Sequence, residues 1–126
     1  MKTASAYQSI VVLTGAGVSA ESGLSTFRDS NGLWNNHRIE DVATPEAFER
    51  NPTLVWEFYS ARRRHALSVS PNAAHHALAS FSRACKEKGI DFTLVTQNVD
   101  GLHETANRHA ADHARPGVRV AMHALR

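Results

Sequence analysis

The run Ser9-Ile10-Val11-Val12-Leu13-Thr14 leads straight into Gly15-Ala16-Gly17, and no other feature constrains the fold as strongly. A short apolar, β-branched run stopped by glycine predicts a buried strand. The glycines turn the chain, and Val18 to Ser22 has room for one or two turns of helix. The Gly15-x-Gly17-x-x-Ala20 spacing matches a dinucleotide-binding turn, with Ala in place of the third glycine. In such a turn the glycines let backbone approach a pyrophosphate, and the free N–H groups of the next helix face it. An ordinary strand-to-helix turn satisfies the same pattern.

Downstream, Gly23 to Asp41 has no hydrophobic period and reads as one long loop, of the kind that in compact domains is functional or mobile. Thr44-Pro45 and Asn51-Pro52 each start a helix, with a capping side chain followed by Pro at the first helical position. Leu54, Val55, Phe58, Tyr59 and Ala61 keep a helical spacing to about Leu67. Ser70-Pro71-Asn72 breaks that helix. Ala73 to Lys88 forms the next, with Ala74, Leu78 and Phe81 expected on its buried face and Gly89 as its C-cap. Asp91 to Thr96 is a second buried strand, followed by the polar turn Gln97-Asn98-Val99-Asp100-Gly101. This order predicts an α/β fold, an incomplete Rossmann-like parallel sheet with helices inserted between its first two strands.

Composition narrows the function classes. A chain of 126 residues holds one domain at most. Cys85 is its only cysteine, which excludes a disulfide-stapled secreted domain and a four-cysteine zinc site. Ile10 to Leu13 falls far short of the roughly 20 apolar residues of a membrane span. No apolar segment follows Lys2 as a signal peptide requires. A cytoplasmic location and no membrane partner are expected. The formal net charge is +2, but Thr105 to Arg126 alone carries +3, so the body before it is at −1. No basic patch is interleaved with aromatics, which argues against nucleic acid.

From Thr105 the character changes: Ala, Arg and His make up 13 of the last 22 residues, and all nine aromatic side chains lie before Thr93. Val118, Val120 and Met122 alternate as in a short strand. The sharper reading places this tail outside the fold.

Phe27-Arg28-Asp29 in the long loop is by itself an exposed charge pair. Gln97-Asn98-x-Asp100 lies at the carboxyl end of a strand, where open α/β sheets bind ligands; an Asx-capped turn explains it equally well. Taken together, Gly15-Ala16-Gly17-Val18-Ser19-Ala20-Glu21-Ser22-Gly23, Thr26-Phe27-Arg28 and Thr96-Gln97-Asn98-Val99-Asp100-Gly101-Leu102-His103 resemble the sirtuins, NAD-dependent protein lysine deacylases. The resemblance runs from about Ser9 to Glu104.

It implies NAD as the cofactor and acyl-lysine proteins or peptides as partners. Gly15, Ala16, Gly17, Glu21, Thr26, Phe27, Arg28 and Trp34 would lie on the cofactor side, with Phe27 and Arg28 near the nicotinamide ribose. Gln97 and Asn98 would bind ribose hydroxyls, and Asp100 the nicotinamide carboxamide. Asn98 and Asp100 would also assist catalysis. Trp56 to Arg63 looks like the branch that removes succinyl and malonyl groups, in which Tyr59 and Arg62 would read the acyl carboxylate. Arg suits that task, because it clamps a carboxylate with two charge-assisted bonds. Residues three apart on a helix share a face, so a core tyrosine beside a solvated arginine gives the same pattern. Thr26, where many deacetylase-type sirtuins carry Asp, suits the same branch.

The chain also departs from the family. A sirtuin core is about twice this length. The family's His-Gly pair, which holds the catalytic base, does not occur; Arg115 stands near its expected place, with His109, His113 and His123 around it. His103 is not that base, and His37, His65, His75 and His76 fit unremarkable loop or helix positions. The zinc expected in the full-length family has no ligands here.

Residues 1–104 therefore read as the N-terminal part of a sirtuin-type NAD-binding catalytic domain, and 105–126 as an atypical basic tail of a frameshifted or truncated copy. The family function is NAD-dependent lysine deacylation, by desuccinylation, demalonylation or deacetylation, with transfer of the acyl group to ADP-ribose and release of nicotinamide. The alternatives are a catalytically inactive remnant that at most binds NAD, and an ADP-ribosyltransferase, against which the Tyr59/Arg62 pair argues.

Overall fold

The structure is a computed structural model and describes residues 7–26, 33–109 and 118–120. Strand β1 (Ser9–Thr14) and strand β4 (Asp91–Thr96) pair in parallel, from Ser9 opposite Asp91 to Thr14 opposite Thr96. Strand β5 (Val118–Val120) adds to the other side of β4, also parallel, so the sheet order is β1-β4-β5. The expected topology holds: the helices lie between two strands that become neighbours.

Four expectations need correction, three of them here and the buried face of the fourth helix below. β1 is not a buried strand. Val11 and Leu13 are 66% and 65% exposed, because the described residues leave one face of the sheet uncovered. Only Ile10, Val12 and Thr14 tuck partly inward. The long loop of 23–41 contains structure. Strands β2 (Leu33–Trp34) and β3 (His37–Arg38) form a tight antiparallel hairpin, and helix α1 (Ile39–Val42) follows. Asn35 and Asn36 occupy its turn with φ of 47° and 65°, the left-handed pair that a two-residue hairpin requires and asparagine tolerates. Third, the compositional boundary at Thr105 falls inside helix α5 (Leu102–His109), where Ala106 is fully buried. Val118–Val120 take the strand reading rather than lying outside the fold.

Helices α2 (Pro45–Arg50) and α3 (Pro52–Ser68) start where the caps predicted. Thr44 Oγ1 accepts from Ala47 N at 3.1 Å, and Asn51 Oδ1 from Leu54 N at 3.1 Å. Helix α4 (Ala73–Glu87) is capped by Asn72 and ends at Gly89, whose φ of +68° suits glycine at a helix C-terminus. Its buried face is not Ala74, Leu78 and Phe81. It is His75, Ala79, Ser82 and Cys85, which turn toward α5 and β4. Small residues allow close helix approach there, and His75 is buried because its ring nitrogens are partnered. Phe81 stays at the rim, edge-on to Phe92. A separate aromatic core joins the hairpin to α1 and α3 through Trp34, Val42 and Phe58.

Candidate functional site

The parallel pairing of β1 and β4 puts their two following loops side by side. Gln97 N donates to Thr14 O at 3.0 Å, extending the ladder one step past the strand ends. Asn98 Nδ2 then donates to Gly15 O at 2.9 Å, and a Cβ on Gly15 would sit 3.3 Å from Gln97 Oε1. Glycine at position 15 lets the two loops approach this closely. Thr96, nearly fully buried, accepts from Asn98 N at 3.1 Å and fixes the turn.

Asp100 has two tasks. Its Oδ1 accepts from Leu102 N at 3.0 Å, which is the Asx cap of the plainer reading, here starting α5. Its Oδ2 accepts from Ser19 Oγ at 2.7 Å. Ser19 lies in the short 3-10 helix Ala16–Ser22 and is 2% exposed. Its oxygen also lies 3.4 Å from Asn98 Nδ2 and from His75 Nε2. His75 Nδ1 accepts from Asn72 N at 3.1 Å, so the proton sits on Nε2 and is directed at Ser19. His103 packs against His75 with ring centroids 4.8 Å apart and planes tilted by 60°, and bonds Thr14 Oγ1 through Nε2 at 2.9 Å.

Burial pushes both imidazoles below their ordinary pKa. For His75 the neighbouring His103 lowers it further and Asp100 partly opposes; for His103, Asp100 and Glu104 oppose. Both rings are neutral near pH 7 and act as hydrogen-bonding struts.

A cavity of about 800 Å³ opens beside this network. Its lining includes Ala16, Ser19, Gln97, Asn98 and Asp100, together with Trp34, Tyr59 and Arg62, the last two from α3. The structure thus joins in one cleft the polar loop at Gln97 to Asp100 and the pair Tyr59 and Arg62, at least 35 residues earlier in the sequence. Gly17 is not among the lining residues, and nothing lies within 4 Å of a Cβ added there. Glu21 is exposed and does not line the cavity, and Thr26 is half-buried outside the lining. Phe27 and Arg28 lie outside the described residues, as do Arg115 and His113. No group of three or more His, Cys, Asp or Glu among the described residues could hold a metal ion. No helix among them is long and apolar enough to cross a membrane.

Sequence reasoning missed Ser19, His75 and His103. Ser19 stood inside the glycine motif. Asn72-x-x-His75 at the start of α4 has the spacing of a capping box, the one local sign that this ring is engaged.

Residues 15–115 match the Sir2 family. The chain belongs to the Sir2 family. It is 60% identical over 100 residues to an NAD-dependent protein deacylase of Rhodopirellula baltica, a match covering 77% of this chain and 42% of that protein. It is 64% identical over 99 residues to the NAD-dependent protein deacylase SIR2rp3 of Leishmania major, covering 77% and 40%. Among solved structures, a Sir2 homologue–NAD complex superposes with a TM-score of 0.66 at 46% identity, covering 81% of this chain and 38% of that one. The chain thus spans about two-fifths of the length of the Sir2 relatives it matches. The Rossmann-like reading of the fold stands on these neighbours.

Proposed function

We propose that this chain carries the cofactor cleft and the acyl-reading wall of a Sir2-type protein lysine deacylase, and that the acyl groups it favours end in a carboxylate, as succinyl and malonyl groups do. The observation that carries this reading is the shared cavity: Tyr59 and Arg62 line the same cleft as Gln97, Asn98 and Asp100. A lysine-linked acyl chain lying between them would bring its reacting carbonyl toward the polar loop and its terminal carboxylate toward Arg62.

The cleft fits NAD. Gly15 and Ala16 offer close backbone at the start of the 3-10 helix, next to the polar side chains of Gln97 and Asn98, which suit ribose hydroxyls. Asp100, fixed by Ser19 and Leu102, presents an acceptor suited to a carboxamide. Phe27 and Arg28 complete the cofactor side in this proposal; Glu21 and Thr26 lie outside the cavity lining, and Trp34 goes with Tyr59 and Arg62. When bound, NAD supplies the sugar carbon that receives the acyl oxygen as nicotinamide leaves. The partners are acyl-lysine proteins or peptides, and the location is cytoplasmic.

In this reading turnover needs the full length of the relatives, of which the chain spans about two-fifths. A base must take a proton from the ribose, a step that typically contributes 10²–10⁴-fold. Arg115, near the place expected for it, stays protonated and cannot accept one. The second reading, an inactive remnant that at most binds NAD, therefore applies to a chain limited to these residues. One experiment addresses both. The chain is assayed alone and joined to the remaining part of the R. baltica relative, by release of nicotinamide from succinyl- and acetyl-lysine peptides. We expect no turnover alone and a preference for succinyl in the joined protein. Arg62→Met should remove most of that preference, roughly 1.5–3 kcal/mol for a charge-assisted bond. Equal loss on both peptides would overturn the acyl reading.

A further inference from the structure

Arg62 does not extend from α3 as an isolated side chain. Its guanidinium carbon lies 3.9 Å from the centroid of the Trp34 ring and 5.7 Å from that of Phe58. Trp34 in turn packs edge-to-face on Phe58 at 5.1 Å and on Tyr59 at 6.5 Å. Phe58, Tyr59 and Arg62 share one face of α3, because residues three and four apart on a helix are neighbours. A single indole from another element thus touches the whole acyl-reading face.

We propose that Trp34 is a positioning residue for Arg62, holding its guanidinium ready for a ligand carboxylate. This rests on the acyl reading above and adds to it the device that aims the arginine. A guanidinium held over an indole ring is confined by it, and its N–H groups suit a carboxylate as a fork. A free arginine must give up much rotamer freedom to bind; one already held has given up part of it, so less affinity is lost on binding. The platform is itself rigid. Trp34 is 7% exposed, its strand ends at the Asn35-Asn36 turn, and Ser25 Oγ donates to Asn35 Oδ1 to tie that turn to the glycine-loop side. Arg63, the next residue, also lines the cavity but stacks on no ring among the described residues. It serves as an internal control.

The test uses the full chain and two peptides of one sequence, carrying succinyl- or acetyl-lysine, with binding followed by calorimetry. The parent is expected to prefer the succinyl peptide. Trp34→Leu should lose about fivefold to thirtyfold in succinyl affinity, the size of a desolvated cation–π contact, and a clearly smaller factor in acetyl affinity. Trp34→Phe, which keeps an aromatic face of weaker attraction, should recover most of the loss, and it carries the test if the Leu variant does not fold. Exposed Trp56 is replaced by Phe so that emission reports Trp34 alone. Arg62→Met should then shift that emission, and Arg63→Met should not. Unchanged succinyl affinity in Trp34→Leu, with a loss in Arg62→Met, would overturn the positioning role and leave the acyl reading standing. Equal loss on both peptides in Trp34→Leu would reduce Trp34 to a packing residue and overturn it too. A parent without succinyl preference, or an Arg62→Met chain that binds like the parent, would remove the acyl reading and this proposal with it.

Discussion

Ser19 donates a 2.7 Å hydrogen bond to the Asp100 carboxylate across 81 residues of sequence. This bond joins the 3-10 helix after β1 to the loop after β4, and with Asn98 on Gly15 it closes the floor of the cleft. Both strands end level at Thr14 and Thr96, so the parallel register delivers the two loops to one edge and the polar side chains lock them.

Removing that donor should be felt in stability as well as binding. Hydrogen bonds to a charged group contribute roughly 1.5–3 kcal/mol. Ser19 is buried, and its loss would also strand the Nε2–H of His75. Ser19→Ala is expected to lower unfolding free energy by about that amount in a urea titration. Asp100→Asn keeps an acceptor for Leu102 and should cost less. Asp100→Ala should weaken NAD binding by calorimetry; unchanged NAD affinity would mean that this carboxylate does not form part of the cofactor pocket.

The buried histidine pair predicts a pH dependence with a definite sign. Burial lowers the pKa of both rings below 6.5, which is the value they take when the chain unfolds. Between the two values the unfolded chain binds more protons than the folded one, so stability must fall as pH drops through about 6.5 and level off below the folded values. Asp100 and Glu104 oppose the shift without reversing it. Urea midpoints at pH 7.5 and 5.5 should differ in the parent, and the difference should shrink in His75→Asn. A midpoint that rises on acidification would contradict the neutral pair.

The parts of this fold that were legible in sequence are those whose cause is local. Thr44-Pro45 and Asn51-Pro52 start helices by bonding their own first turn, and the glycines after β1 mark its end; Asn72, read as part of a helix breaker, turned out to cap α4. The hairpin of Leu33-Trp34 with His37-Arg38 was not legible, because two-residue strands are too short to alternate; only Asn35-Asn36 hinted at it. The buried face of α4 was misread because apolar side chains were expected inward. His75 instead meets its partners Ser19 and His103 at 56 and 28 positions away, and Phe81 is left at the rim. Composition misled at Thr105 for a related reason. Alanine, which made the tail look foreign, is what packs at Ala106 in α5. Of the site, the cleft residues were named from motif resemblance, while the Ser19 network depends on contacts that no local pattern encodes.

Asn72 offers the sharpest separation between a helix cap and a long-range tie. Its Oδ1 accepts from Ala74 N at 3.0 Å, an ordinary N-cap whose removal costs about 0.5–2 kcal/mol. Its Nδ2, however, donates to Val18 O at 2.8 Å and to Ser22 Oγ at 3.0 Å, fastening α4 to the 3-10 helix that carries Ser19. Aspartate caps helices about as well as asparagine but has no amide to donate. Asn72→Asp therefore isolates the second role. It keeps the cap, loses both donations and sets a carboxylate oxygen against the Val18 carbonyl. Each lost bond between neutral groups contributes about 0.5–1.5 kcal/mol, and the unpartnered carbonyl adds to that. We expect Asn72→Asp to destabilise the chain by roughly 1–3 kcal/mol in urea unfolding, where a pure cap would change little. Asn72→Ala, losing both roles, should cost more than Asn72→Asp. Equal stability of parent and Asn72→Asp would show that Asn72 acts as a cap alone and that the 3-10 helix is held by Ser19 without it.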